Sequence, residues 1–354
     1  MSYSPHNASI LSGLLGDHEV AACFSVEADI AAMVQFEVAL ASATASAGLI
    51  PIESPGFIAA ACSGFAPDVE KINAGTARDG VPVPELVAQL RAVVGETHGR
   101  HVHFGATSQD VIDSSLAIRL KTVVARLKAR LTGISGRLVE LDGQFGRNEL
   151  TGRTRMQAAQ PILVADRLKA WRAPLARHVT RIDAIAPRIL VLQLGGAVGT
   201  RGAYGADAGS VAAEMGRILG LAVPDEAWHS ARDNVAEFAA LLSTITGSLG
   251  KIGEDAALMA QNEIGEIELS GGGGSSVMAH KQNPVRAEVL VALARFNATL
   301  LAGMHHSLVH EQERSGAAWT LEWMLLPQMC VAAGASTRIA LELLDSVKRL
   351  GKPV

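Results

Sequence analysis

Apolar residues recur along this chain at steps of three and four over long stretches, the period of a helix with one buried stripe. The clearest run follows Trp228-His-Ser-Ala-Arg-Asp233. There Val235, Phe238, Leu242, Ile245, Leu249, Ile252, Ala256 and Met259 keep the spacing of a bundle seam. An earlier run, Leu116, Leu120, Val123, Leu127, Leu131, Ile134, Leu138 and Leu141, predicts a second long helix. Val289, Leu293, Phe296, Leu300 and Met304 predict another, and a last helix is expected between about Leu321 and Lys348. Nearer the start, Phe24 to Ala47 reads as one helix, with Met33, Phe36 and Leu40 at helical spacing. No period-two run of any length suggests a strand. The expected fold class is therefore all-α, a long antiparallel helical bundle with a small irregular helical domain in front of it. The division falls near Arg100. Before it, Pro51, Pro55, Pro67, Gly75, Gly80, Pro82 and Pro84 break the chain into short pieces. From His101 the patterns are long and regular, so 1–100 and 101–354 are read as two domains.

Composition narrows this picture. Of 354 residues, 49% are hydrophobic but only 4% aromatic, which suits close-packed helices better than a β-sandwich. Net charge is −4 with no block of like charges, which argues against nucleic acid or an acidic membrane surface as partners. Cys23, Cys62 and Cys330 are odd in number and far apart. They fit a reducing cytoplasm and lack metal-ligand spacing. No signal peptide is expected, and no uninterrupted apolar stretch long enough to span a bilayer.

Three polar patches interrupt the helical patterns. Gly271 to Gly274 are four consecutive glycines, which read as a mobile flap or a tight backbone cradle. They are followed by Ser275, Ser276, His280, Lys281 and Asn283, and Pro284 opens a new helical pattern. A plain Gly/Ser linker is the alternative, but linkers seldom carry Lys, Asn and Pro so densely. The second patch, His101-Val-His-Phe-Gly-Ala-Thr-Ser-Gln-Asp110, offers Thr107 or Ser108 as a helix N-cap. A helix N-terminus with hydroxyls and an amide is also a carboxylate site. His101 and His103 fit structural hydrogen bonding as readily as catalysis. The third, Gly152-Arg-Thr-Arg-Met-Gln157, leads through Pro161 into a further helical pattern. Patches at the ends of long helices meet most easily when several chains pack together.

These patches resemble the conserved regions of the fumarase/aspartase superfamily, in the same order. Gly274-Ser-Ser-Val-Met-Ala-His-Lys-Gln-Asn-Pro284 is similar to its motif GSSxMPxKxNP, with Ala279 for the usual proline. Gly-Ala-Thr-Ser-Gln-Asp and Gly-Arg-Thr-x-x-Gln are similar to the other two. Leu15-Gly-Asp-His-Glu-Val20, Phe24-Ser-Val-Glu-Ala28, Trp228 to Asp233, His310-Glu-Gln-Glu-Arg314, Trp319 and Glu322-Trp323 resemble the carboxymuconate cycloisomerase (lactonizing enzyme) family within it. The resemblance implies a homotetramer with a shared helical core, active sites built from three subunits, and no cofactor or metal. Arg155 stands where many relatives have histidine. The third, small helical domain of most relatives is expected to be absent or nearly so.

What the resemblance implies chemically is closure of a lactone in protocatechuate degradation. A carboxylate adds to a conjugated double bond, an enolate forms, and a proton is delivered to carbon. Such a step needs fixed positive charge around the enolate and one placed proton carrier. Ser275 matches the superfamily's loop serine as proton carrier, with Lys281 as catalytic cation. Thr107, Ser108, Gln109, Arg153, Arg155, Gln157, His229, Arg232, Ser276, Met278 and Asn283 are the candidates for holding the polycarboxylate substrate. The alternatives are an adenylosuccinate lyase-like enzyme releasing fumarate, a sulfomuconate cycloisomerase, and a catalytically dead structural relative. A metal-dependent hydrolase using His306, His310 and Glu311 is also open, without an H-E-x-x-H pattern to support it.

Overall fold

A computed structural model describes residues 10–271, 273–274 and 282–353. Seven helices come first: α1 (Ser12–Leu15), α2 (His18–Ala22), α3 (Val26–Ser46), α4 (Ser54–Ser63), α5 (Val69–Asp79), α6 (Val83–Val94) and α7 (Glu96–Gly99). The bundle is made by α8 (Ser108–Phe145), α9 (Val164–Ile189), α11 (Asp233–Met259), α12 (Val285–His306) and α13 (Ala317–Asp345), with α10 (Ala208–Leu219) packed outside it on α3.

The seams expected from periodicity are the buried faces. Every apolar residue of the α11 seam is buried, and so are those of α8 from Leu120 to Leu141. Two glycines let α11 and α12 approach closely. A Cβ at Gly253 would lie 2.5 Å from the Ala287 carbonyl oxygen, and one at Gly250 would lie 2.6 Å from Ala294 Cβ. A second core gathers α3, α4, α6 and the start of α8 around Phe36, Leu40, Ile58 and Leu86. It also takes Tyr204, Val211 and Met215 from much later in the chain.

Strands are present where none was expected. β1 (Glu149–Thr154) and β2 (Gln157–Leu163) form an antiparallel hairpin. Its two-residue turn, Arg155-Met156, has positive φ at both positions (50° and 67°), the pattern of a type I′ turn. The third polar patch is thus the tip of a hairpin that leads into α9. β3 (Ile267–Leu269) pairs with β6 (Val347–Leu350), and α13 ends at Asp345 to make room for it. β4 (Gly273–Gly274) pairs with β5 (Gln282–Asn283), closing the base of the glycine segment.

One further expectation is corrected. Four helices, α3, α11, α12 and α13, are long and apolar enough by length and composition to cross a membrane. Their charges are sparse because their faces pack on one another. Within the chain the apolar windows of three are 61 to 67% buried, but that of α12 only 33%.

Between α9 and α11, His178 is buried with Nε2 2.8 Å from Ser248 Oγ. Burial, and then the cations of Arg181 and Arg177, push its pKa from 6.5 down to about 4. The unfolded chain therefore takes up this proton first. Its contribution to stability is complete above pH 6.5 and is lost as pH falls toward 4. Urea titrations of His178→Gln across this window should show a shallower acid decline than the wild type; equal slopes would refute the buried neutral imidazole.

Candidate active site

α8 sets the geometry. Its 38 residues, at about 1.5 Å each, span about 57 Å. At its N-terminus lie Thr107 and Ser108. Just past its C-terminus lies the hairpin with Arg153, Arg155 and Gln157. α11 runs from His229 and Arg232 at the first end to the segment holding β3 and β4 at the second, and α12 returns toward His310 and Arg314. One chain thus places two candidate patches at the second end and one at the first, most of a helix length away.

At the first end Thr107 is the N-cap, in extended backbone, and Thr107 and Ser108 are half-buried. Asp110, fully buried, is the hub. Its Oδ2 accepts from the Thr107 N–H (3.0 Å) and the Gly196 N–H (2.9 Å). Its Oδ1 accepts from the Gly195 N–H (2.8 Å) and lies 2.8 Å from His229 Nε2. Because a carboxylate only accepts, His229 donates from Nε2. The opposite ring nitrogen is buried with no partner among the described residues. Gly195 is required here, since a Cβ would lie 2.6 Å from His229 Cε1.

Three residues expected to bind substrate at this end are engaged within the chain. Gln109 is fully buried and spent on the fold: Nε2 donates to the His229 carbonyl (2.8 Å) and Oε1 accepts from Arg314 Nε (3.0 Å). His229 is only 3% exposed and faces Asp110. Arg232 is 2% exposed and committed to its neighbours. Nε donates to Glu322 (3.0 Å), Nη1 to Asp113 (2.7 Å) and the Trp228 carbonyl (3.4 Å), and Nη2 to Asp113 (3.1 Å) and Glu322 (2.7 Å). All five N–H donors are used. Burial opposes the guanidinium's charge, but Asp113 and Glu322 outweigh it and raise its pKa. Trp319 Nε1 joins the cluster at Asp113 (3.1 Å).

The pattern of residues missed Arg314. It is exposed, donates from Nε to Gln109 Oε1 (3.0 Å) and from Nη2 to the Ala197 carbonyl (3.2 Å), and so places a cation at the first end of the bundle. The His310-to-Arg314 stretch was its only signal. His306 and His310 do not share a helix face: α12 ends at His306, which is exposed, whereas the His310 side chain is buried with Nε2 3.5 Å from Glu322.

At the second end Arg155 and Gln157 are exposed at the hairpin tip, with Met156 70% exposed. Arg153 is partly neutralised, its Nη1 lying 2.8 Å from the buried Glu266, which also accepts from the Thr151 N–H (2.9 Å). Asn283 and Arg286 line a small cavity with Ser270 and Gly271 at the base of the glycine segment. Ser275, Ser276, Met278, His280 and Lys281 lie outside the described residues. Among the described residues, then, Thr107, Ser108 and Arg314 lie at one end, and Arg155, Gln157 and Asn283 at the other.

Removing Arg232 should be a folding defect. Arg232→Met leaves two buried carboxylates facing each other and should cost about 3–5 kcal/mol in urea unfolding. Wild-type stability combined with weaker substrate binding would restore Arg232 as a substrate contact.

The match to known proteins agrees with this architecture. A family described as "Lyase" matches residues 19–296. A 3-carboxy-cis,cis-muconate cycloisomerase of Pseudomonas aeruginosa is 37% identical, over 92% of this chain and 72% of that protein. The solved 3-carboxy-cis,cis-muconate lactonizing enzyme of Pseudomonas putida superposes with a TM-score of 0.90 at 34% identity, covering 96% of this chain and 77% of that one. A fumarate lyase from Mesorhizobium sp. BNC1 superposes with a TM-score of 0.89 at 33% identity, over 95% and 76%. With a family match over most of its length and relatives of this identity and coverage, the chain belongs to the lyase family of the fumarase/aspartase superfamily.

Proposed function

We propose that this chain is an intramolecular lyase that interconverts 3-carboxy-cis,cis-muconate and 4-carboxymuconolactone through an enolate, without metal or nucleotide. The similarity to cycloisomerases supports the reaction. The observation that carries the substrate class is the hairpin tip. Arg155, exposed in a positive-φ turn, puts a permanent cation where many relatives carry a titrating histidine. That exchange suits a substrate with three carboxylates and removes an acid that an amine leaving group would need. In this reading Ser275 carries the proton, and Lys281 with the backbone of the glycine segment stabilises the enolate. Thr107 and Ser108, at the positive end of α8, hold a carboxylate. Arg153, Arg155, Gln157, Ser276, Met278 and Asn283 complete the substrate surface.

The active centre is read as shared within a homotetramer. Two observations support this: the length of α8 between the patches, and the only partly covered apolar face of α12. A cytoplasmic setting agrees with the free thiols of Cys23, Cys62 and Cys330.

The test is an absorbance assay of the purified chain with 3-carboxy-cis,cis-muconate in excess chelator. Turnover should persist, and Ser275→Ala should lower kcat by about two orders of magnitude or more. Fumarate released from adenylosuccinate at a comparable rate, or loss of activity in chelator, would overturn the assignment. For the shared centre, Thr107→Ala and Gln157→Ala should each be impaired alone and should recover part of the activity when co-assembled. No recovery in any mixture would place the whole site in one chain.

A further inference from the structure

A cavity of about 710 Å³ opens beside Arg314, between the turn joining α5 to α6 and the first two turns of α13. That volume lies in the range of small-molecule sites, about 300–1,000 Å³. Its wall is formed by Arg314, Ser315, Trp319, Thr320, Trp323 and Met324. The indoles of Trp319 and Trp323 meet edge to face, 4.6 Å between centroids at 62°, so they make a corner. The corner is stiff on one side, because Trp319 Nε1 is tied to Asp113 inside the buried Arg232 cluster. Trp323, on the other side, is only half-buried and presents ring surface.

Charge in the cavity is one-sided. Asp79 lines it, but both its oxygens are taken by Arg78, from Nε (2.8 Å) and Nη2 (2.7 Å). Arg314 spends Nε on Gln109 and Nη2 on the Ala197 carbonyl. Its Nη1 makes no hydrogen bond among the described residues. The cavity thus offers one free guanidinium edge at its mouth and an aromatic corner behind it. Such a surface fits a flat, conjugated hydrocarbon carrying a carboxylate. It does not fit a phosphate ester, whose several anionic oxygens would lie against indole without partners.

We propose that Trp323 is a specificity-determining residue: its indole is the wall against which the diene of the substrate lies, with one carboxylate turned to Arg314. This rests on the reaction proposed above and names the part of the site that selects for a planar diene acid. The indole supplies packing area and neither a proton nor a charge, so its loss should act on KM more than on kcat.

The experiment uses the full-length protein with 3-carboxy-cis,cis-muconate, and checks assembly of each variant by light scattering. Trp323→Ala should raise KM about tenfold or more while kcat stays within about threefold, and Trp323→Phe, which keeps a flat ring, should stay near wild type. Ala317→Trp fills the cavity from an exposed position at the start of α13, where the fold has nothing to lose. It should raise KM to a similar extent, so the idea remains testable if Trp323→Ala does not assemble. An active wild type with unchanged KM in Ala317→Trp, or in an assembled Trp323→Ala, overturns the cavity assignment. An inactive wild type overturns the reaction itself.

Discussion

A continuous helix of 38 residues cannot bring its two ends together, and two of the three candidate patches flank the ends of α8. Its first turn carries Thr107 and Ser108, and its last turn leads directly into the hairpin of Arg155 and Gln157. The other bundle helices run alongside it and preserve the separation. The seam that makes α8 rigid, Leu120 through Leu141, is buried against its neighbours throughout, so bending it would open the core. In the shared site proposed above, the same rigidity that separates the groups in one chain would let several chains align them with little freedom left to lose.

Holding the first end in shape falls to two buried carboxylate systems rather than to apolar packing. Asp110 binds the glycine turn at Gly195 and Gly196 to the α8 N-terminus, and Asp113 shares the Arg232 guanidinium with Glu322. Buried ion pairs contribute little net stability compared with well-packed apolar groups, but breaking one is costly. Their value here is in fixing position. Through Trp319 and Gln109 they set the corner and the Arg314 side chain that face the open surface.

The helical frame was legible because it obeys one period over long stretches. The seams of α8 and α11 read directly as buried stripes. The hairpin was not legible. Its strands have almost no buried alternating face, and its turn is Arg-Met rather than the Asn-Gly or Asp-Gly that marks a type I′ turn. The burial of Arg232 was also out of reach, because its partners lie 119 and 90 residues away in the chain. The motif that carries it is as compatible with a substrate contact as with a structural bridge. The partners of Gln109 were out of reach for the same reason: an amide at a helix start can serve a ligand or a neighbouring loop, and here His229 and Arg314 arrive from far along the chain. Ala-rich α12 read as one more seam, and the incomplete covering of its apolar face became visible only once the rest of the chain was in place.

The central claim is that the catalytic groups converge between chains and not within one. The most direct test labels Thr107 in one batch of protein and Gln157 in another, each through an introduced cysteine in a background lacking the native three, and measures spin–spin distances after the batches are co-assembled. The account predicts a population much closer than the length of α8, present only in the mixed sample. A mixed sample showing nothing shorter than the separation measured within a doubly labelled, isotopically diluted chain would contradict it.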